Sequence, residues 1–321
     1  MSVLSWFFSR PEPDPDIQTG LRRVTDLVSE TLGITLGFSA RLAAPVAHAR
    51  KFCARMVDAL PPPVTIDRQS FASNPLVHAL FATADDIGAV LAASREVRAY
   101  LAETCLWQED SFVALAAARR ADKKVLGAAL QGDVVVTDVP QTLLQFSNQT
   151  FILPARDLAS ARNALLEAAF DSLLLTFAGH LAYVRKDYGS LQAEREMERV
   201  RQRSQPAGAN FPDRRIAALD ERLQQQFQSL QPEAIIAELA DFLMYPEQAL
   251  SLDPVQLWVT RGGVILESGA TDAAMTCFME LQSRDRRRHI VLPVRVRYDE
   301  AREALAHAKE AQAGREYMLL L

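Results

Sequence analysis

The residue pattern of this chain predicts an α+β protein, with a helical N-terminal region and two antiparallel β-meander modules joined by a long helix. Apolar residues recur every three or four positions over much of 17–104 and again over 156–204, as they do on one face of a helix. At about 109–153 and 255–297 the pattern changes to short apolar runs separated by turn residues, which is typical of antiparallel strands.

The composition is that of a folded protein without a general affinity for nucleic acid. The chain has 321 residues, enough for about two domains, and 49% of them are hydrophobic, so it can bury a sizeable core. Its net charge of −5 argues against a nucleic-acid partner, because phosphate binding needs a basic face. Cys53, Cys105 and Cys277 are scattered and form no CxxC pair, which indicates a reducing compartment and predicts a cytoplasmic protein.

The first sixteen residues combine an apolar tip with a stiff spacer. The tip contains Trp6, Phe7 and Phe8, and prolines at 11, 13 and 15 alternate with acidic residues behind it. The apolar run is too short for a signal peptide or a bilayer span. Alternating prolines favour an extended spacer of about 15 Å at 3.1 Å per residue. We therefore expect the tip to insert into an apolar groove on a partner, most simply a second copy of the chain.

The boundaries of the predicted elements follow from local signals. Helices are expected from Asp16 and from about Ser39, the second ending before the three prolines at 61–63, and two more begin near Ser73 and Asp85. Two further helices are predicted after a linker, and the final strands form hairpins, one with Gly262 and Gly263 at its turn. The predicted regions are 1–16, 17–155, 156–204, 205–230 and 231–321.

The two strand-rich segments end in similar sequences. "FILPARDLASARNALLEAA" closes the first, and "IVLPVRVRYDEAREALAHA" closes the second. This similarity favours a tandem duplication of one α+β module, with helices starting near Asp157 and Asp299. The alternative is that alanine-rich helices that follow a strand resemble one another without common descent.

The predicted long helix carries a near-heptad apolar seam. Phe177 and Leu181 lie in it, and a highly charged stretch follows at 190–204. One interpretation is a dimerisation or scaffolding helix, in which Phe177 and Leu181 contact a partner. The other is a helix packed between the two modules, which the broad apolar content of 157–188 favours, followed by an exposed polar arm. Glu167, Asp171 and His180 interrupt the most apolar part, so no membrane span is predicted.

No motif of a known catalytic chemistry occurs in the sequence. There is no phosphate-binding glycine loop, no GxSxG elbow, no HExxH, and no pair of histidines at helical spacing. Met275, Cys277 and Met279 alternate on a predicted strand and could hold a soft metal, although such a stripe is more often a core face. His180, with Asp171, Asp187 and Tyr188 near it in sequence, is better explained as a packed histidine than as a catalytic one. We expect no cofactor.

A basic hairpin is a weaker interaction candidate. Arg286, Arg287 and Arg288 lie at its predicted tip, where they could meet an acidic partner or remain a solvated turn. No aromatic residues are interleaved, which disfavours single-stranded nucleic acid.

The sequence thus favours a non-catalytic cytoplasmic adaptor, scaffold or assembly subunit that acts through protein contacts and forms homo-oligomers. Two alternatives stay open. One is a regulatory module that senses a small ligand within its β modules. A pocket lined by Trp107 and Trp258 would favour this alternative. The other is an enzyme whose site is assembled from scattered residues.

Overall fold

A computed structural model of the chain describes residues 14–103, 109–131, 134–203, 212–260, 262–266, 273–283 and 288–319. It confirms the α+β class. The chain divides into two compact units, of which the first is Met1–Ala54 with Glu167–Ala249 and the second is Arg55–Leu166 with Leu250–Leu321. The division therefore falls inside the predicted long helix.

The helices of the described residues follow the apolar spacing of the sequence. They are α1 (Pro15–Leu27), α2 (Phe38–Asp58), α3 (Arg68–Ser73), α4 (Pro75–Leu80), α5 (Ala84–Ala93), α6 (Arg95–Glu103), α7 (Leu158–Arg203), α8 (Pro212–Ser229), α9 (Pro232–Met244) and α10 (Tyr298–Leu319). Short 3₁₀ turns lie at Glu30–Leu32 and Pro246–Gln248. α7 is one continuous helix of 46 residues. Its start near Asp157 and that of α10 near Asp299 are confirmed.

All seven described strands belong to one sheet. They are β1 (Val64–Thr65), β2 (Ser111–Gln131), β3 (Val134–Ala155), β4 (Leu250–Thr260), β5 (Val264–Leu266), β6 (Ala273–Ser283) and β7 (Arg288–Arg297). The order is β1-β7-β2-β3-β5-β4-β6, with β6 also paired to β7. All pairs are antiparallel except β1 with β7.

The sheet differs from the predicted pair of separate meanders. β2 pairs with β7 from Ser111 opposite Arg297 to Arg119 opposite His289, so the two strand-rich segments join each other. The first segment contributes two long strands, whereas the second contributes four shorter ones. This arrangement does not show a duplication, and the two segments do not have the same strand order.

The first unit packs its helices around fully buried aliphatic and aromatic side chains, among them Val24, Leu42, Phe170 and Leu174. Gly20 on α1 permits close packing, since a Cβ at that position would lie 2.5 Å from Val46 Cγ1 on α2. At the edge of this core, Arg50 donates to both carboxylate oxygens of Glu167, at 2.6 and 3.1 Å. The bidentate pair joins α2 to α7.

The second unit buries one face of its sheet against helices. That core contains Phe112 and Phe151 from the sheet, with Leu91 and Ala301 from α5 and α10. A smaller apolar cluster contains Leu115, Met279 and Val291 of the sheet, together with Leu60 from the segment between α2 and β1. Alternation along the strands accounts for the two clusters, since successive residues point to opposite faces.

Strands β2 and β3 extend beyond the strands that flank them. They pair from Val113 opposite Ala155 to Gln131 opposite Val134. β7 accompanies β2 only as far as Arg119, and β5 meets β3 only at Thr142 and Leu143. Residues 125–131 and 134–141 therefore pair only with each other among the described strands; we call this two-stranded extension the β-arm.

Candidate interaction surfaces

Helix α7 uses the predicted apolar seam inside its own chain. Phe177 and Leu181 are only 2% and 4% exposed. The ring of Phe177 lies 5.5 Å from that of Phe242 on α9. Further along, Leu191 is buried with Leu219 and Leu223 of α8. The assignment of Phe177 and Leu181 to a partner surface is therefore corrected: both belong to the core of the first unit.

The opposite side of α7 is open over most of the same length. At 100° per residue, ten of its exposed residues fall within a sector of about 140°, while exposed polar residues such as Arg185 and Gln192 lie outside it. They recur at spacings of three and four, which is the spacing of a helix-packing seam. These residues are Leu175, Gly179, Ala182, Tyr183, Lys186, Gly189, Ala193, Glu196, Met197 and Val200, and we call the set the outer α7 face.

The outer α7 face is apolar or small at most positions. Leu175 is 54% exposed and Tyr183 is 69% exposed. Met197 and Val200 extend the apolar surface, at 60% and 59%. A Cβ placed on Gly179 or Gly189 would meet nothing within 4 Å. Gly in a helix interior costs roughly 0.5–1 kcal/mol relative to Ala, and nothing in the chain's own packing near these two positions requires it.

Charged side chains lie on this face and beside it. Glu196 accepts from Arg195 at 3.2 Å and from Arg199 at 3.1 Å. Glu194 pairs with Arg215 of α8 at 3.1 Å. These are exposed pairs of both signs, so they contribute little to folding and remain available for exchange with a partner's charges.

The histidine and carboxylates considered for catalysis are used in contacts between helices. His180 lies 3.1 Å from Glu238 of α9, and Gln226 of α8 donates to Asp187 at 2.5 Å. Tyr188 packs on the Leu191 cluster. Asp171 pairs with Arg23, and burial raises the pKa of its carboxyl. These four residues are dispersed along α7 and form no common site.

The basic hairpin is described only in part. Arg286 and Arg287, the centre of the predicted tip, lie outside the described residues. Arg288 is exposed, and its Nε lies 3.3 Å from Glu280 Oε1. The positive charge of Arg288 is thus partly compensated by an acidic residue of its own sheet, which weakens its assignment as a contact for an acidic partner.

That neighbour belongs to a mostly buried ion cluster on β2 and β6. Arg120 donates to Glu280 at 2.7 Å and to both oxygens of Asp122 at 2.8 and 2.9 Å. The side chains of Arg120 and Glu280 are 9% and 10% exposed. The guanidinium also lies 5.7 Å from the centroid of the Phe278 ring. The carboxylates raise the pKa of Arg120 in spite of burial, so its charge is permanent.

The three sulfur residues on β6 are separated by burial. Met275 and Cys277 are exposed, whereas Met279 lies in the cluster of Leu60 and Leu115. Within the described ranges, no group of three His, Cys, Asp or Glu residues could hold a metal ion. The other described thiol, Cys53, is buried, and burial raises its pKa to about 12, which suppresses the reactive thiolate.

The second unit contains a small apolar cavity between its sheet and the start of α7. Leu60, Leu115, Leu153 and Leu165 contribute to its lining. Its volume of about 20 Å³ gives room for a water molecule but not for a metabolite. Trp258 is half-buried opposite Met275 on β6, and Trp107 lies outside the described residues.

Two other apolar surfaces are exposed. Ile34 and Leu36, in the turn after the first 3₁₀ segment, are 88% and 96% exposed. On the β-arm, Val134 and Val135 are each 64% exposed and Leu126 is 69% exposed. The tip residues Trp6, Phe7 and Phe8 lie outside the described residues, so their insertion into a partner stays a prediction.

Helix α7 is also long and apolar enough to cross a membrane by length and composition alone. This is weak support for a span, because the core helix of a soluble protein passes the same test. The structure places Phe170, Leu173 and Leu174 of this stretch in the core of the first unit.

No protein-family model matches the chain, and comparison with curated proteins and with solved structures gives no significant match.

The outer α7 face was not found from the sequence, although a signal was present. Leu175, Gly179, Ala182 and Lys186 repeat at 4, 3 and 4 positions, as the buried seam does. Helical periodicity is recognised mainly from large apolar residues such as Phe177 and Leu181. The second seam on the same helix consists largely of small residues, so the same criterion did not detect it.

Proposed function

We propose that the protein is a non-catalytic scaffold or assembly subunit that acts through protein–protein contacts and associates with itself in the cytoplasm. The observation that carries the proposal is the outer α7 face, which leaves Leu175, Tyr183, Met197 and Val200 in water on one side of a 46-residue helix. An apolar stripe of this kind on a stable helix favours a second helix as its partner.

Further observations support a role in assembly. The β-arm carries exposed valines next to strand edges that no other described strand covers, and Ile34 and Leu36 form an apolar loop tip. The carboxylates and the histidine near α7 are engaged in contacts between helices. The cavity in the second unit has room for a water molecule only, so it does not by itself support the ligand-sensing alternative.

Sedimentation velocity of the full-length chain over a broad concentration range tests the proposal. We expect a concentration-dependent species of at least twice the monomer mass. Tyr183→Lys should shift this equilibrium toward monomer, because it places a charge in the middle of the outer α7 face.

The matched control is Phe227→Lys. Phe227 is 54% exposed on α8, outside the outer α7 face, so its replacement should leave the mass distribution unchanged. A wild-type chain that remains monomeric at every concentration and retains no protein partner would contradict the proposed function.

A further inference from the structure

We propose that the outer α7 face pairs with the same face of a second copy, antiparallel, about a two-fold axis at the level of residue 191. This inference rests on the proposed function and names its partner. A two-fold axis makes every contact occur twice, so the face must be complementary to itself when its direction is reversed.

The charges on the face supply that complementarity. Residue 191 lies midway between Lys186 and Glu196, both of which are exposed. In an antiparallel pair centred there, Lys186 of each copy lies level with Glu196 of the other. A parallel, in-register pair would instead place Lys186 against Lys186 and Glu196 against Glu196, which costs free energy.

The same axis matches the sizes of the side chains. It places Gly189 level with Ala193 and Ala182 level with Val200, again twice each. Small residues at the centre allow two helices to approach at the short end of the usual 8–10 Å range. Gly189 has open space beyond its Cα, so a second helix can approach there without meeting the chain's own atoms.

The overlap is long enough for a specific contact. It runs from Gly179 to Arg203 in both copies, which is about 37 Å of helix at 1.5 Å per residue. The charged residues on the face disfavour a lipid surface as the occupant, since Lys186, Glu196 and their neighbours would enter an apolar medium.

Charge reversal tests the axis. The dimer dissociation constant of the full-length chain is measured by sedimentation at low ionic strength for Lys186→Glu, Glu196→Lys and the double variant. Each single change creates two like-charge contacts and should raise the constant at least about tenfold. The double variant should restore wild-type affinity, and a 1:1 mixture of the two single variants should form a heterodimer.

Lys51→Glu is the matched control, because Lys51 is exposed on α2 in the same unit and lies off the face. Its constant should equal that of the wild type, and circular dichroism should report the same helicity for all variants.

The outcomes separate this inference from the proposed function. A wild-type dimer whose constant is the same in both single variants overturns the antiparallel axis while leaving self-association in place. A wild-type chain that stays monomeric and floats with phosphatidylcholine–phosphatidylglycerol vesicles assigns the face to lipid and overturns both.

Discussion

At the scale of single residues, Arg120 and Glu280 illustrate how burial decides the worth of an ion pair. Arg120 has two carboxylate partners and a ring contact at 9% exposure, while Arg68 pairs with Asp85 at the same short distance of 2.8 Å with both side chains at least 80% exposed. Removing one member of a buried pair leaves the other uncompensated, whereas an exposed pair contributes about 0–1 kcal/mol.

We therefore expect Arg120→Leu to lower the free energy of unfolding by about 2–4 kcal/mol, since Arg288 still neutralises part of the Glu280 charge. Arg68→Leu should lower it by less than about 0.5 kcal/mol. Urea denaturation of the two variants gives both values. Equal losses would show that the cluster behaves as a surface contact, and a double Arg120→Leu, Glu280→Leu variant should recover most of the loss.

At the scale of elements, α7 shows which features of a helix sequence periodicity can predict and which it cannot. Its existence, its start near Asp157 and its apolar seam were predicted, because residues on one face of a helix recur every three or four positions, whereas the assignment of Phe177 and Leu181 to a partner was wrong. The partner of that seam was not, since Phe177 meets Phe242 from a helix that begins more than fifty residues later. Periodicity tells which residues share a face, and only tertiary packing tells what covers it.

In the sheet, too, the local features were predicted and the long-range contacts were not. The hairpin turns were local signals and could be predicted, including Gly263, whose φ of +81° favours glycine. The pairing of β2 with β7 joins residues more than 180 positions apart, such as Phe112 and Val296. No local pattern encodes that contact, so the two strand-rich segments were predicted as separate meanders.

The β-arm carries an element-scale prediction. An exposed apolar strand edge favours pairing with other chains, and a lysine on such an edge opposes it. Val135→Lys should reduce aggregation on prolonged warming while leaving the melting temperature unchanged, because Val135 is 64% exposed and contributes little to the core. Turbidity and thermal circular dichroism measure the two quantities.

Leu36→Lys is the control for Val135→Lys, since Leu36 is an exposed apolar residue in the other unit. Both changes bring the net charge from −5 to −4, so a general charge effect would act on them alike. Equal suppression of aggregation by the two variants would show that the β-arm edge does not specifically promote aggregation.

At the scale of the whole molecule, the first sixteen residues are expected to contribute to assembly. α1 begins at Pro15, and Asp14 accepts from the Asp16 backbone N–H at 3.1 Å, so the start of the first unit is capped locally. The N-cap hydrogen bond of α1 is thus made within residues 14–16. Trp6, Phe7 and Phe8 would each gain roughly 1.5–3 kcal/mol on burial, so they favour a docked state in an assembly.

Deleting residues 2–10 is therefore expected to weaken self-association without changing the fold. The melting temperature should shift by less than about 2 °C, because the Asp14 cap and the apolar face of α1 remain. The dimer dissociation constant should rise, and we expect it to rise further when the deletion is combined with Tyr183→Lys, since the tip and the outer α7 face belong to different segments of the chain. Differential scanning calorimetry and sedimentation on the same samples report both quantities. A truncated chain that assembles normally but melts several degrees earlier would show that the tip belongs to its own core.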